Sequence, residues 1–268
     1  MTAPNALSLG VARGGVELKQ FFRERGSVVF TFAFPAVLLL LLGSIFDQGP
    51  IAGTTVTGGQ VLTASFAAGG IVSTSFVNLG SSLAVERDDG TLKRLRALPM
   101  PPVSFFLGKI VLVVVASLAE LALLLVIGVL TFDVALPSDP VAWLTMAWLF
   151  ALGITACSLL GIAASSLARS ARSAGAMTTL PYTVLLFISG VYVPLQELPD
   201  WMARIGALFP VKWLAQGFRA ALLPDHMAAG EPAGQWELGK TAVVLALWCA
   251  GGLVLCLTTF RWRSALTR

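Results

Sequence analysis

The sequence predicts an all-α polytopic membrane protein with six transmembrane helices, on three observations. Hydrophobic residues make up 56% of the 268 positions and charged ones only 12%, where a soluble domain carries about 25% charged residues. The mean hydropathy is +0.84, more apolar matter than one water-soluble core could bury. The apolar residues also fall in separate blocks of about 20, the length that crosses the hydrocarbon layer as a helix.

The chain opens on a cytoplasmic segment, 1–26. Within it, Leu7–Arg25 reads as an amphipathic helix lying along the membrane interface, with Leu9, Val16, Phe21 and Phe22 apolar and Arg13, Glu17, Lys19, Arg23 and Glu24 polar. Gly14-Gly15 weakens that helix. The polar start and the lack of a small-residue cleavage site do not read as a cleavable signal. The first span is Ser27–Phe46, where Pro35 predicts a kink. The second is Val61–Leu83, less apolar because it is rich in Ser, Thr and Gly. Ser104–Thr131, Val141–Leu167, Ala174–Val193 and Leu238–Phe260 follow. Between the fifth and sixth spans lies an outer segment, 194–237. Its stretches Leu198–Phe209 and Val211–Leu223 are apolar, helical in pattern and too short to cross, and Pro194, Pro199, Pro210 and Pro224 punctuate them. They read as interfacial or re-entrant helices, with Trp201 and Trp213 suited to an interface. With no internal repeat, 1–268 reads as one transmembrane domain.

Orientation follows from Lys and Arg in the connections. Arg13, Lys19, Arg23 and Arg25 precede the first span; Arg87, Lys93, Arg94 and Arg96 follow the second; Arg169 and Arg172 follow the fourth; Arg261, Arg263 and Arg268 end the chain. The loops Asp47–Gln60 and Phe132–Pro140 carry neither residue type. Both termini are therefore expected in the cytoplasm of a cell whose plasma (inner) membrane holds the chain. Arg204, Lys212 and Arg219 in the outer segment are exceptions in a long loop, which weighs less. The net charge of +4 thus reads as topology rather than nucleic-acid binding, since no basic stretch carries interleaved aromatics.

Several features bear on chemistry. Glu120 is the one clearly mid-membrane ionisable residue, and a charge there costs about 2.5–3.5 kcal/mol even on the lenient insertion scale. It either contacts a cationic substrate or gates the path, or else hydrogen-bonds Ser, Thr or Tyr on a neighbouring span. Thr63, Thr74, Asn78 and Ser81, with Ser75 and Ser82 beside them, form a polar stripe on the second span that suits either helix packing or an aqueous cavity. Phe66, Tyr182, Phe187 and Tyr192 are candidate aromatic lining residues, with lipid or core packing the alternative. His226 has no His or Cys at metal-ligand spacing, so no metal site is expected, and no nucleophile motif accompanies it. Cys157, Cys249 and Cys256 lie in apolar segments and read as small hydrophobes. Gly234 to Thr241 satisfies the G-x-x-x-x-G-K-S/T spacing of a phosphate-binding loop. It lacks a preceding strand, places Trp236 and Glu237 where phosphate must approach, and falls on the expected outer side. It reads as a chance match, with Lys240 snorkelling at the end of the sixth span.

The most informative stretch is Glu86-Arg87-Asp88-Asp89-Gly90-Thr91-Leu92-Lys93-Arg94-Leu95-Arg96-Ala97-Leu98-Pro99. Asp88 and Asp89 precede a short helix that Thr91 is placed to cap, and acids there complement the positive helix end. Leu92, Leu95 and Leu98 make one apolar stripe, and Pro99, Pro101 and Pro102 end the helix. Such a helix between two spans suits docking by a cytoplasmic partner; the plain alternative is a basic loop that fixes topology. Together with Leu107-Gly108-Lys109, this stretch resembles the cytoplasmic loop of ABC-2 type transporter permeases. Phe187-Ile188-Ser189-Gly190-Val191-Tyr192-Val193-Pro194, then Leu198-Pro199-Asp200-Trp201 and Phe209-Pro210, is similar to the fifth-span end of the daunorubicin-resistance type of drug exporter.

The resemblance covers nearly the whole chain and implies the rest of the functional expectation. Two permeases, a second copy or a sister chain, would pair with two cassette ATPase subunits in the lipid bilayer. ATP and Mg would be bound by those ATPases, leaving this chain with no cofactor, no catalytic residue and no nucleic-acid partner. The region 86–98 would be the coupling helix, carried by Glu86, Arg87, Asp88, Asp89, Gly90, Thr91, Leu92, Leu95, Leu98 and Pro99. The second and fifth spans would line the transport path, with Phe66, Thr74, Asn78, Glu120, Tyr182, Phe187 and Tyr192 as candidate pathway residues. Pro194, Pro199, Trp201 and Pro210 would belong to an outer gate. Short outer loops favour export of a small amphipathic cargo (a drug, an antibiotic or a lipid), while polysaccharide exporters share the plan. An ion-coupled secondary transporter built around Glu120 is the alternative; it predicts more intramembrane charges and an internal repeat. A membrane enzyme predicts a His, Asp, Glu or Cys cluster at one membrane level, which the sequence lacks.

Overall fold

The computed structural model describes residues 5–96, 101–168 and 170–259. Among the described residues the chain is helical, apart from turns and one isolated bridge between Pro50 and Thr57. The elements are α1 (Ala6–Arg23), α2 (Arg25–Phe46), α3 (Gly58–Asp88), α4 (Thr91–Arg96) and α5 (Pro102–Phe132). They continue with α6 (Pro140–Leu167), α7 (Ala171–Ile188), α8 (Asp200–Gly206), α9 (Pro210–Leu222) and α10 (Leu238–Thr259).

Five helices, α2, α3, α5, α6 and α10, are long and apolar enough to cross a membrane. The stretch expected as the fifth span, Ala174–Val193, forms α7 instead, an 18-residue helix that stops at Ile188 and enters the turn at Gly190. Arg172 and a run of Ser and Thr dilute its first half, so its composition falls short of the other five. Phe260 and the basic tail lie outside the described residues.

α3 is the hub. Its apolar window is 72% buried, against 22% for α2 and α10. Ala64, Ala67, Ala68, Gly69 and Gly70 keep its surface low enough for neighbours to close in on every side. At its crossing with α6 the backbones touch: a Cβ on Gly80 would sit 2.9 Å from the Gly161 carbonyl oxygen. The peripheral helices turn apolar rows outward, among them Phe30, Phe34, Val37, Leu41 and Ile45 on α2 and Val243, Leu247, Val254 and Leu257 on α10. In water such rows would drive aggregation; in lipid they are solvated, and helices satisfy their own backbone there.

Two local features follow from named residues. α1 is continuous through Gly14-Gly15, the expected weak point. Gly10 and Gly14 seat Leu107 and Val111 of α5, so those glycines set the packing distance, while Gly15 faces open space. The kink expected from Pro35 appears as a wide π turn at Val29–Ala33 just before it; proline has no N–H to donate backward, and the widened turn takes up the missing bond.

After α7 the chain turns at Pro194, runs through the exposed α8 and returns as α9, which is buried along nearly its whole length among α3, α6 and α10. Phe209 stacks on Trp248 at 6.1 Å, and the Trp248 indole N–H donates to the Leu208 carbonyl at 3.0 Å, which fixes the return to α10.

Candidate coupling end and transport cavities

The stretch expected to form one coupling helix over 86–98 divides at Gly90. Glu86, Arg87 and Asp88 end α3, Gly90 takes the left-handed φ of 77° that turns the corner, and α4 begins at Thr91. Asp89 rather than Thr91 satisfies the new helix: its carboxylate accepts the Thr91 N–H at 2.8 Å. Leu92 is buried in the core. Leu95 falls within α4; Leu98 and Pro99 lie outside the described residues.

The charges ahead of Gly90 are used inside the protein. Glu86 pairs with Lys109 of α5, whose ammonium also meets Glu17 of α1 at 2.8 Å; Glu17 in turn meets Arg13 at 2.5 Å. One buried cation thus joins α1, α3 and α5. Arg87 donates to the carbonyls of Ser165 and Ala168, both at 2.6 Å, and so caps the C-terminal end of α6. Asp88 accepts the Ala171 N–H at 2.5 Å at the first turn of α7. The two adjacent side chains clamp both sides of the α6–α7 corner. Asp88 therefore serves the N-terminus of α7, not that of the short helix it was expected to complement.

Glu120 of α5 is fully buried. Thr74 donates to its Oε2 at 2.6 Å, and its Oε1 has no hydrogen-bond partner. Gly70 provides the room, since a Cβ there would lie 2.9 Å from the carboxyl. The polar stripe on α3 is shared among three neighbours: Thr74 to Glu120, Asn78 to Thr31 on α2 at 2.9 Å, and Ser81 to Thr178 on α7 at 3.2 Å. Asn78 and Thr31 both sit in π turns, so the two widened stretches face each other. Thr63 bonds back to Gly59 and Ser82 to Leu79 on α3 itself. The aromatic candidates come together one turn further on. Tyr192 lies 5.2 Å from Phe66 and 5.3 Å from Phe187, and the Tyr182 hydroxyl donates to the Gly69 carbonyl at 3.2 Å.

Two cavities flank this level, called inner and outer after the orientation that the Lys and Arg bias predicts. The inner one, about 400 Å³, is bounded by α1, α2, α3 and α5; Glu17, Glu86 and Lys109 line it, and it reaches Thr74, the partner of Glu120. The outer one, about 430 Å³, lies under the loop after α2 and the segment after α7, where Pro194 lines it. Pro199 leads into α8, Trp201 on α8 is exposed, and Pro210 begins the buried α9.

The outer segment carries its own charge cluster. Arg219 on α9 binds Glu231 through Nε and Nη2, both at 2.7 Å, and donates through Nη1 to Ser65 of α3 at 2.9 Å and to the Gly190 carbonyl at 3.0 Å. Lys212 donates to Gln216 at 2.8 Å, lies 3.9 Å from Glu237 and sits 3.9 Å over the Trp213 ring. Burial pushes the Lys212 ammonium below the ordinary lysine range, against the opposing pull of Glu231 and Glu237.

The sequence matches the ABC-2 type transporter family over residues 15–223, most of the chain. The chain belongs to the ABC-2 type transporter family. It is thus a multi-pass membrane protein of that family, with five helices long and apolar enough to cross a membrane. It is also similar to YvfS of Bacillus subtilis (strain 168), which is named as a transport permease. The two are 23% identical over 140 residues, 52% of this chain and 56% of YvfS. The chain therefore spans little more than half the length of that curated relative.

The stretch Gly234 to Thr241 follows a turn rather than a strand; α10 starts at Leu238, and Lys240 pairs with Glu237. His226 lines the outer cavity, and among the described residues no His, Cys, Asp or Glu group is placed to hold a metal ion. Cys157, Cys249 and Cys256 are free thiols. Arg219, Lys212, Glu231 and Ser65 are not among the residues expected to form a site, and the two basic residues stood only as exceptions to a charge bias. Their signal was the presence of Glu231 and Glu237 in the same loop, which allows neutral pairs.

Proposed function

We propose that this chain is the permease subunit of an ATP-driven exporter for a small amphipathic compound (a drug, an antibiotic or a lipid) in the plasma or inner membrane, with both termini cytoplasmic. Two permeases, a second copy or a sister chain, assemble with two cassette ATPase subunits that bind the ATP and Mg. α7 serves as the sixth crossing: at 18 residues it extends about 27 Å, close to the hydrocarbon thickness.

The observation that carries this reading is the Arg87–Asp88 clamp in a chain of this family. α4 sits beyond the Gly90 corner where an ATPase can press on it. The clamp passes that displacement to the ends of α6 and α7, and the Glu86–Lys109–Glu17 bridge passes it to α5 and α1. ATP-driven closure of the partner thereby reaches the helices around Thr74 and Glu120, the candidate pathway level, and the halves alternate between inward and outward access. Pro194, Pro199, Trp201 and Pro210 frame the outer gate.

The test is co-purification. The chain is expressed with its neighbouring genes and extracted in mild detergent, beside Gly90→Pro and Leu95→Asp. A cassette ATPase that copurifies with wild type and is lost or uncoupled in the variants is the expected result. A chain that purifies without any ATPase, with variants behaving like wild type, would return the reading to an ion-coupled carrier centred on Glu120.

A further inference from the structure

We propose that the outer cavity is a binding site for an amphipathic amine carrying an oxygen acceptor near its ammonium group, as in an amino alcohol. The proposal deepens the exporter reading, in which this is the site that cargo occupies on the outer side before release.

The cavity's size, about 430 Å³, suits a drug-sized molecule. Its polar floor is built rather than incidental. Glu231 is 7% exposed, and its Oε1 is fixed by two Arg219 nitrogens, while Ser65 and Gly190 fix the guanidinium from the other side. That leaves Glu231 Oε2 buried with no hydrogen-bond partner. Trp236 also lines the cavity, and its indole nitrogen is a buried donor with no acceptor. Two residues of one lining thus hold an unused acceptor and an unused donor, and a ligand that reaches both and supplies the complement of each is held at two points. Charge sets the sign of the ligand. Arg219 is neutralised by Glu231, and the other carboxylate on the lining is Glu197, so the surplus is negative and favours a cation. Phe46, Leu62, Leu223 and Met227 supply an apolar wall for the rest of the molecule. The ammonium donates to Glu231 Oε2, and the ligand oxygen accepts from the Trp236 indole.

The test uses propranolol, an amphipathic amino alcohol, and the purified full chain in lipid nanodiscs without ATP or an ATPase partner. Binding is measured by equilibrium dialysis and corrected for uptake by empty discs. Saturable binding near one molecule per chain is expected, weakened at least tenfold for an analogue in which the amine is replaced by a hydroxyl. Ala229→Trp, at an exposed lining position, fills the mouth and abolishes it. Trp236→Phe keeps the ring, removes the donor and weakens binding about threefold to tenfold. Uptake no greater than that of empty discs overturns the proposal, as does saturable binding unchanged in both variants. Because the readout needs no ATPase, either result leaves the co-purification outcome independent: the site can fail while the permease stands, or bind while no ATPase associates.

Discussion

The two ends of the helix bundle are both held by charged side chains, but over different reaches of sequence. At the inner end Lys109 bonds Glu17 across 92 residues, Arg87 reaches carbonyls 78 and 81 residues on, and Asp88 reaches 83. At the outer end Arg219 meets Glu231 12 residues away, Lys212 meets Gln216 4 away, and Lys240 meets Glu237 3 away. Arg219 to Ser65 and Gly190 are the longer outer links. The inner charges therefore weld separate helices into one body around the α3–α4 corner. The outer charges mostly knit one segment to itself; Arg219 is the charge that also bonds the bundle, and the packing of α9 among α3, α6 and α10 supplies the rest of the attachment. Bonds of the first kind make separate helices move as a unit, which is the construction the proposed coupling role calls for.

Variants at the two ends should break or sharpen this contrast, in order of expected effect. Lys109→Met leaves the partly buried Glu86 without its cation and the buried Glu17 with Arg13 alone, so a loss of about 3 kcal/mol is expected, read by thermal unfolding of the detergent-solubilised protein. Combining it with Glu17→Gln and Glu86→Gln should restore more than half. A single variant within about 1 kcal/mol of wild type would remove the inner weld from the account.

Arg219→Met should destabilise by about 3 kcal/mol but locally. Hydrogen exchange should accelerate across 190–237 and stay slow in α1 and α5. Acceleration spread evenly through the molecule would erase the distinction between the two ends. Gly90→Ala should cost about 1–2 kcal/mol, because its φ of 77° is left-handed, whereas Gly15→Ala, in a helix and facing open space, should gain about 0.5–1 kcal/mol. Trp201→Ala, at 59% exposure, should change stability by less than about 0.5 kcal/mol.

What the sequence made legible was set by periodicity and block length. The apolar blocks placed α2, α3, α5, α6 and α10 to within a few residues, because lipid demands length and hydrophobicity in one run. α7 was harder to read, since Arg172, Pro181 and several Ser and Thr residues dilute the same signal. Pro35 predicted a kink, and a π turn at Val29–Ala33 stands just before it, since a missing N–H leaves a backbone bond to be made up. The polar stripe on α3 was visible, but its division among Glu120, Thr31 and Thr178 depends on which helices lie alongside. Arg87 and Asp88 looked like loop charges waiting for a partner. Their bonds run to backbone atoms about eighty residues away, and such bonds leave no pattern in the sequence. Gly14 looked like a helix weakness and proved to be a packing seat, a difference that only the neighbouring Val111 decides.

The most direct test of the central claim compares ATP hydrolysis with transport in the reconstituted complex carrying Arg87→Met. The account predicts that the ATPase still binds and still hydrolyses ATP, while cargo moved per ATP falls at least tenfold because α4 no longer moves the α6–α7 corner. Transport per ATP equal to wild type, in a protein shown to be folded, would contradict it.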